Sequence, residues 1–252
     1  MSIKDIKESA IFIADAHYPH YGDEFFKLLQ NIDNKKIVTP QLFLMGDIFD
    51  LLFGYSNYIK TFSNKAIILL QKLSKEIDIY YLEGNHDFCL KEIFPNIKVY
   101  NREKQPIKFR LKKDNIYLAH GDLYKTGFGY NLYCKLLRNR FTLKSLSLFE
   151  KKIIDNRLKK LKIKNICHDF IDFKKRVDEI KRYYPKDSLI VEGHFHQGKV
   201  FENYISLPSL ACQGEIGIII EGKIVFKKLN ALLSTTKSTT ITTSTSPTST
   251  MR

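Results

Sequence analysis

The stretch QLFLMGDIFD, residues 41–50, begins as an apolar run and ends in Gly-Asp and a second aspartate. The run has the length of a β-strand, and its near-continuous apolar character is typical of a strand buried on both faces. Four other runs share this form: AIFIAD (10–15), IDIYYLEGN (77–85), NIYLAHG (115–121) and SLIVEGH (188–194). The five runs predict buried strands in a sheet covered by helices.

Helical periodicity fills the gaps between the first three runs. Residues 23–32 predict a helix with Phe26, Leu28 and Leu29 facing inward, and residues 59–76 predict a longer helix. The alternation of strands and helices places the chain in the α/β class. In such sheets ligands bind beyond the carboxyl ends of the strands, so we expect the polar residues that end the runs to lie close together.

Residues 123–184 interrupt this alternation, because apolar residues recur there at helical spacing without a strand pattern. The segment predicts a helical insertion, either an ordinary helical layer or a functional cap. After it, Glu221-Gly222 predict a hairpin turn. From residue 234 to the end, 14 of 19 residues are Ser or Thr, so we expect a disordered tail after one domain of residues 1–233.

Composition sets limits on the partners of the chain. Its formal net charge is +14, and residues 123–184 hold 17 Lys and Arg against 6 Asp and Glu. A local basic excess favours anionic partners such as phosphates, nucleic acid or acidic lipid. No apolar run is long enough for a signal peptide or a membrane span, which predicts a soluble or peripheral protein. The wide spacing of the cysteines predicts reduced thiols for Cys89, Cys134, Cys167 and Cys212.

Short polar motifs follow the five runs. In chain order they are Asp15-Ala16-His17, GDIFD (46–50), GNHDF (84–88), His120-Gly121-Asp122 and GHFH (193–196). Residues two apart in extended chain point the same way, so Asp15 and His17 can meet one cation, and the two GHFH histidines can serve adjacent cations. Taken singly, each motif is also compatible with a helix cap or a core histidine. Together, at strand ends, they predict one metal site.

The residue types indicate the chemistry of this site. Asp47 can bridge two cations with its two oxygens, and Asn85 offers a neutral carbonyl oxygen. His86 can donate a proton or a hydrogen bond to a phosphoryl oxygen, with Asp87 expected to orient its ring and Asp50 to orient the loop or a ligand. Imidazole and carboxylate ligands without cysteine suit Mn²⁺, Fe or Zn²⁺ better than Ca²⁺ or Mg²⁺ alone. The predicted metal ligands are Asp15, His17, Asp47, Asn85, His120, His194 and His196.

Two histidines, His20 and His168, lie away from the strand ends, and we expect both at the surface. Two cations held by the predicted ligands can clamp a phosphoryl group for in-line attack by water. The sequence therefore predicts a metal-dependent phosphoesterase.

The five motifs, in this order, resemble those of the calcineurin-like metallophosphoesterases, over residues 10 to about 226. The resemblance implies an α/β fold in which a two-sheet β-sandwich is flanked by helices. It also implies one metal site with Asp15, His17, Asp47 and His196, and a second with Asp47, Asn85, His120 and His194.

Within that family, the chain resembles a group that cleaves UDP-2,3-diacylglucosamine to UMP and 2,3-diacylglucosamine 1-phosphate in lipid A biosynthesis, typically with Mn²⁺. The resemblance lies in the intervals between motifs, the phenylalanine that ends GNHDF, the basic helical insertion and the segment HGDLYKTGFGY (120–130). It implies substrate contacts by Asp122, Thr126 and Tyr130 and a cap over the acyl chains. The chain departs from the group at His86, where many members have arginine.

The resemblance further implies an anionic nucleotide-lipid substrate and a cytoplasmic protein in peripheral contact with the inner membrane, without nucleic acid or an obligate protein partner. The main alternative is a general phosphodiesterase or nuclease, since the same metal core hydrolyses nucleic acids and the chain is basic. Few aromatic residues interleave with the charges of the insertion, which disfavours base stacking. A metal-bound interaction module without catalysis is expected to lack a ligand or His86, and none is missing.

Overall fold

The computed structural model describes residues 3–124, 127–146, 150–163 and 165–235. The strands are β1 (Lys4–Ile6), β2 (Ile11–Ile13), β3 (Gln41–Leu44), β4 (Leu52–Phe53), β5 (Asp78–Leu82), β6 (Asp87–Phe88), β7 (Lys98–Tyr100), β8 (Ile107–Leu111), β9 (Asp114–Ala119), β10 (Leu189–Glu192), β11 (Lys199–Phe201), β12 (Tyr204–Ser206), β13 (Glu215–Ile220) and β14 (Lys223–Lys228). The α-helices are α1 (Glu24–Asp33), α2 (Asn57–Leu73), α3 (Phe128–Leu137), α4 (Arg140–Leu146), α5 (Glu150–Lys162), α6 (Phe173–Ile180), α7 (Leu210–Gln213) and α8 (Leu229–Thr235).

The first sheet has the strand order β14-β13-β2-β3-β5-β7. Its central strands β2, β3 and β5 are parallel and correspond to the first three apolar runs. Strands β13 and β14 form an antiparallel hairpin with its turn at Glu221-Gly222, which confirms the predicted turn. Side chains alternate across β2, so Ile11 and Ile13 pack with the helices while Phe12 faces the other sheet.

The second sheet has the order β1-β8-β9-β10-β12-β11, with β9 parallel to β10. The two sheets pack face to face around one apolar cluster, whose members include Phe12, Phe43, Phe109, Leu118 and Val191. Helices α1 and α2 cover the outer face of the first sheet, and α6 covers the outer face of the second. This arrangement confirms the predicted two-sheet sandwich flanked by helices.

Helix α1 differs from its prediction in the row of residues that faces the core. The buried residues are Phe25, Leu28, Leu29 and Ile32, whereas Phe26 is only partly buried. At 3.6 residues per turn, the buried residues occupy positions i, i+3, i+4 and i+7 of one helix face. Phe26 lies about 100° away from Phe25 around that helix, so it packs against the edge of the same cluster and is less buried than predicted.

The described residues of the segment 127–184 form helices α3 to α6 and no strand. Helix α5 packs onto the domain, because Ile154 and Leu158 belong to the same apolar cluster as α1 and α2. Two hydrogen bonds join it to the start of α2: Ser56 Oγ donates to Glu150 at 2.7 Å, and Tyr58 Oη donates to Asp155 at 2.8 Å. None of the helices among the described residues is long and apolar enough to cross a membrane.

The predicted disordered tail lies outside the described residues from residue 236 onward, and Ser234 and Thr235 end helix α8. The expectation of four reduced thiols was wrong, because Cys167 and Cys212 form a disulfide. The two cysteines are 45 residues apart in sequence, so only the tertiary fold brings them together. Cys89 and Cys134 are free.

Candidate metal centre

The predicted ligands meet where the strands of both sheets end. Asp15, Asp47 and Asn85 follow β2, β3 and β5 of the first sheet, while His120 and His194 follow β9 and β10 of the second. Each sheet therefore contributes one side of the centre. Four of these ligands are buried, Asp15 and His120 at 0% exposure and His17 and Asp47 at 3%, while His194 and His196 are partly buried.

One cluster joins Asp15, His17 and His196, whose candidate ligand atoms all lie within 4.8 Å of one another. His196 Nδ1 lies 2.9 Å from the Ile166 carbonyl oxygen, so this nitrogen carries the proton and donates. The remaining lone pair on His196 Nε2 faces Asp15 Oδ1 at 3.1 Å, and that buried oxygen has no hydrogen-bond partner. Two acceptors facing each other fit a cation between them.

The second cluster joins Asp47, His120 and His194. His120 Nδ1 lies 2.9 Å from the Met45 carbonyl oxygen and donates to it, which leaves the Nε2 lone pair free. That lone pair lies 3.2 Å from His194 Nδ1, 3.3 Å from Asn85 Oδ1 and 3.6 Å from Asp47 Oδ2. Four acceptor atoms thus converge on one point, as expected of metal ligands.

The electrostatics of the metal-free clusters agree with this geometry. Burial lowers the pKa of both His17 and His194 to about 4, so these rings are neutral. Burial opposes the charged form of His120 as well, but the carboxylates of Asp47, Asp122 and Asp15 outweigh it and raise its pKa to about 9. Without cations, a proton on His120 therefore compensates the carboxylate charge.

Two glycines allow the ligand loops to approach closely. A Cβ atom at Gly84 would lie 2.2 Å from Asp47 Oδ1. A Cβ at Gly46, which has a φ of +87°, would lie 2.3 Å from His120 Nδ1. Both motifs therefore require glycine immediately beside a ligand.

Asp87 has a different position from the one expected. Its buried carboxylate accepts backbone N–H groups from Asp47 at 3.0 Å, Ile48 at 2.7 Å and Gly84 at 2.8 Å, and the Tyr81 hydroxyl at 2.6 Å. The expectation that Asp87 orients the His86 ring was wrong, because these bonds occupy the carboxylate. Asp87 instead joins the GDIFD and GNHDF loops.

His86 is oriented by the backbone of Asp50. Its Nδ1 lies 2.7 Å from the Asp50 carbonyl oxygen and donates to it, so Nε2 is the nitrogen left to exchange a proton with a ligand. The Asp50 carboxylate accepts His20 Nδ1 at 2.5 Å and lies 3.8 Å from His17 Nδ1. His20 is thus half-buried against Asp50, which corrects its expected surface position.

Five of the seven candidate ligands have left-handed backbone conformations. The φ values are +50° for Asp15, +45° for His17, +50° for Asp47, +62° for His194 and +55° for His196. This conformation is unfavourable for residues with a Cβ, at a cost of about 1 kcal/mol or more each, and it recurs at functional sites. The spacing of the pairs Asp15/His17 and His194/His196 suggested extended chain. That expectation was wrong, because all four residues have left-handed backbone.

The three residues expected to contact the substrate are Asp122, Thr126 and Tyr130, and neither Asp122 nor Tyr130, the two that the structure describes, lines the cavity of the metal centre. Asp122 is buried and its Oδ2 accepts Arg102 Nε at 2.7 Å, while the Tyr130 hydroxyl lies 3.4 Å from the same oxygen. Thr126 lies outside the described residues. The substrate roles of these three residues stay predictions.

A cavity of about 250 Å³ opens onto both clusters. Its lining combines His17, Asp47, Asn85, His86, His194 and His196 with Ile166, His168, Phe170 and Phe195. His168 has an exposed side chain, as expected, but that side chain borders the centre. Sequence reasoning missed this placement because residues 165–170 belong to no motif.

Fold and site together define a metal-dependent phosphoesterase. The calcineurin-like phosphoesterase family matches residues 9–198, a span that contains all five motifs. The chain belongs to this family. It is accordingly a hydrolase that uses divalent metal ions, and the two clusters are where its chain can hold them.

Similar proteins are found among named hydrolases and among solved structures. A UDP-2,3-diacylglucosamine hydrolase of Wigglesworthia glossinidia brevipalpis is 27% identical over 205 residues, which cover 76% of this chain and 81% of that protein. One from Blochmanniella pennsylvanica is 27% identical over 248 residues, covering 90% and 96%. Among solved structures, a protein of unknown function from Aquifex aeolicus aligns with a TM-score of 0.43 and 14% identity, over 81% of this chain and 91% of that one.

Proposed function

We propose that this chain hydrolyses UDP-2,3-diacylglucosamine to UMP and 2,3-diacylglucosamine 1-phosphate in lipid A synthesis. The observation that carries the proposal is an apolar cavity beside the metal centre. Asn85 lines both this cavity and the one that opens onto the clusters, so a phosphate at the centre and an apolar group next to it can belong to one substrate. The names of the relatives support the same substrate.

The two clusters support the metal-binding roles that the family resemblance implies. One cation would be held by Asp15, His17, Asp47 and His196, and the other by Asp47, Asn85, His120 and His194. We assign Mn²⁺ to both positions, since the ligands are imidazole, carboxylate and amide groups without a thiolate. A bound pair of divalent cations supplies positive charge for the phosphoryl oxygens and makes water acidic enough to attack at neutral pH.

The protein's own groups complete the reaction. His86 lines the cavity of the metal centre, and its Nε2 is the nitrogen that would hold or move a proton at the phosphoryl group, because Nδ1 is engaged by the Asp50 carbonyl. Asp87 keeps the backbones of Asp47 and Gly84 in register, so both ligand loops present their oxygens to the same point.

The apolar cavity is the proposed acyl site, and helices α3 to α5 form its cap. It is lined by Leu51, Phe53, Phe88, Tyr133, Leu137, Leu143, Ile153 and Ile154, with Arg157 and Glu150 among the polar members. Its volume is about 150 Å³. Cavities of this size hold a group as small as benzene, so it encloses only part of an acyl chain. In this proposal the rest of the acyl chain lies along the exposed apolar side chains of helix α3.

The cap also suits the surface of a membrane. Phe128 and Phe141 are 85% and 67% exposed, and Arg140 and Lys144 lie close to Phe141 in sequence. Aromatic rings settle at the level of the lipid headgroups, and each near-surface cation adds about 1 kcal/mol of attraction to anionic lipid. We therefore place the protein at the cytoplasmic face of the inner membrane, where its lipid substrate lies.

Incubating Mn²⁺-loaded protein with UDP-2,3-diacylglucosamine tests the function. We expect UMP and the sugar 1-phosphate in equal amounts, resolved by chromatography. Chelator-treated protein is the control. Absence of UMP together with turnover of DNA or a cyclic nucleotide would instead support the nuclease alternative.

Replacing Tyr133 by serine tests the acyl site. Tyr133 is 52% exposed, so the substitution removes about 1 kcal/mol of apolar contact and raises KM for the diacyl substrate about three- to tenfold. Tyr183→Ser is the matched control, because Tyr183 is 48% exposed and does not line the cavity. Hydrolysis of bis(p-nitrophenyl) phosphate should be the same in both variants. An equal rise in KM for both substrates in Tyr133→Ser would refute the assignment.

A further inference from the structure

A segment outside the five motifs forms one wall of the metal centre. Ile166, His168 and Phe170 line the same cavity as the candidate ligands. They lie within the insertion, between helices α5 and α6, in a stretch that has no regular secondary structure up to Phe170.

Several bonds hold this segment in place. The Ile166 carbonyl accepts His196 Nδ1 at 2.9 Å, and the adjacent Cys167 is joined by a disulfide to Cys212 of α7. On the other side, the Phe170 backbone N–H donates to Gln197 Oε1 at 3.3 Å. His168 is thus anchored through both of its neighbouring stretches of backbone.

The imidazole of His168 is not engaged by the protein. Among the described residues, none forms a hydrogen bond or an ion pair with its ring. The other histidines of the cavity are occupied: three belong to the ligand clusters, and His86 Nδ1 bonds the Asp50 carbonyl. His168 is therefore the imidazole lining this cavity with both ring nitrogens available to a ligand.

We propose that His168 is a catalytic residue that donates a ring N–H to the leaving phosphate of the substrate. This assignment rests on the proposed diphosphate hydrolysis. In that step the oxygen of water forms a bond to one phosphorus while the bond from that phosphorus to the bridging oxygen breaks. The electron pair stays on the bridging oxygen of the leaving phosphate, and the proton of water passes to His86 Nε2. An N–H donor at the leaving oxygens stabilises this charge as it develops.

The contact distinguishes two kinds of leaving group. A diphosphate releases a phosphate with several anionic oxygens, whereas bis(p-nitrophenyl) phosphate releases a phenolate without a phosphate. We expect His168→Ala to lower kcat about 10- to 100-fold on UDP-2,3-diacylglucosamine and less than about twofold on the phenyl diester. His168→Asn, which keeps an N–H donor, should recover part of the loss. The matched control is Asp169→Ala. Asp169 is the next residue in the chain, and its side chain is 93% exposed.

Binding provides a readout that does not depend on turnover of the lipid. Calorimetry with Mn²⁺-loaded protein and the methylene-bridged analogue of UDP should give a Kd about three- to tenfold higher for His168→Ala than for wild type, with the same metal content. Equal Kd values would overturn the role of His168, as would equal loss of kcat on both substrates. If wild type does not cleave the lipid, the proposed function fails, and the Kd comparison alone still decides the phosphate contact.

Discussion

His86→Ala leaves the metal content of the protein unchanged and lowers kcat on UDP-2,3-diacylglucosamine by about 10²- to 10⁴-fold, the range of general acid–base catalysis. The metal content persists because the ring of His86 belongs to neither cluster. In the proposed role of His86 the rate falls because its uncommitted Nε2, in the cavity of the metal centre, is the nitrogen that exchanges the proton. Metal analysis by mass spectrometry and steady-state kinetics on the same preparation measure both effects.

The contribution of the residue 86 backbone must be distinguished from that of its imidazole ring. The His86 N–H donates to Asp47 Oδ1 at 2.8 Å, and every substitution except proline retains this bond. His86→Asn therefore serves as a control that keeps a polar side chain but cannot transfer a proton. An unchanged kcat in His86→Ala would remove the residue from its role, and loss of metal would show that it supports the ligands instead.

Removing the cations has an effect at least as large. Stripping the protein with a chelator should reduce kcat by about 10³-fold or more, because each 1.36 kcal/mol of lost stabilisation is a factor of ten and the cations supply several kcal/mol. Adding Mn²⁺ back should restore activity and release protons. His120 is protonated in the metal-free state below pH 9, since its pKa is raised to about 9, and it must be neutral to bind.

The sign of the pH dependence follows. As pH falls below about 9, protons compete for His120 and the affinity for Mn²⁺ decreases; as pH rises toward 9, it increases. His17 and His194 release no proton, because their pKa values of about 4 leave them neutral. Calorimetry near neutral pH, in buffers of different ionisation enthalpy, should show about one proton released by His120, plus a contribution from His196, whose pKa is also raised. Binding without proton release would contradict this assignment.

The sequence predicts the strand ends well because chemistry and periodicity coincide there. Asp15, Asp47 and Asn85 each follow an apolar run, and parallel neighbouring strands that end together must bring such residues together. The sandwich itself is a different case. It follows from resemblance, because no local signal states that β2 and β9 belong to separate sheets that pack face to face.

Other features depend on contacts between distant segments, which periodicity does not report. The pairing of Cys167 with Cys212 is one of these, and so are the approach of His168 to the metal centre and of His20 to Asp50. Asp87 shows the same limit in another form. Its place in GNHDF marks it as functional, but only the tertiary fold shows that it binds the loop that follows β3.

The left-handed backbone at five candidate ligands affects how the thermal stability of this protein can be increased. Glycine and asparagine adopt that conformation more readily than aspartate or histidine, so these positions invite substitution in any search for greater thermal stability. Each such change would relax a loop and remove a metal ligand. Thermal stability and catalytic activity therefore make opposite demands on the same residues. A gene copy no longer selected for activity could accumulate such substitutions and encode a more stable protein that does not bind metal.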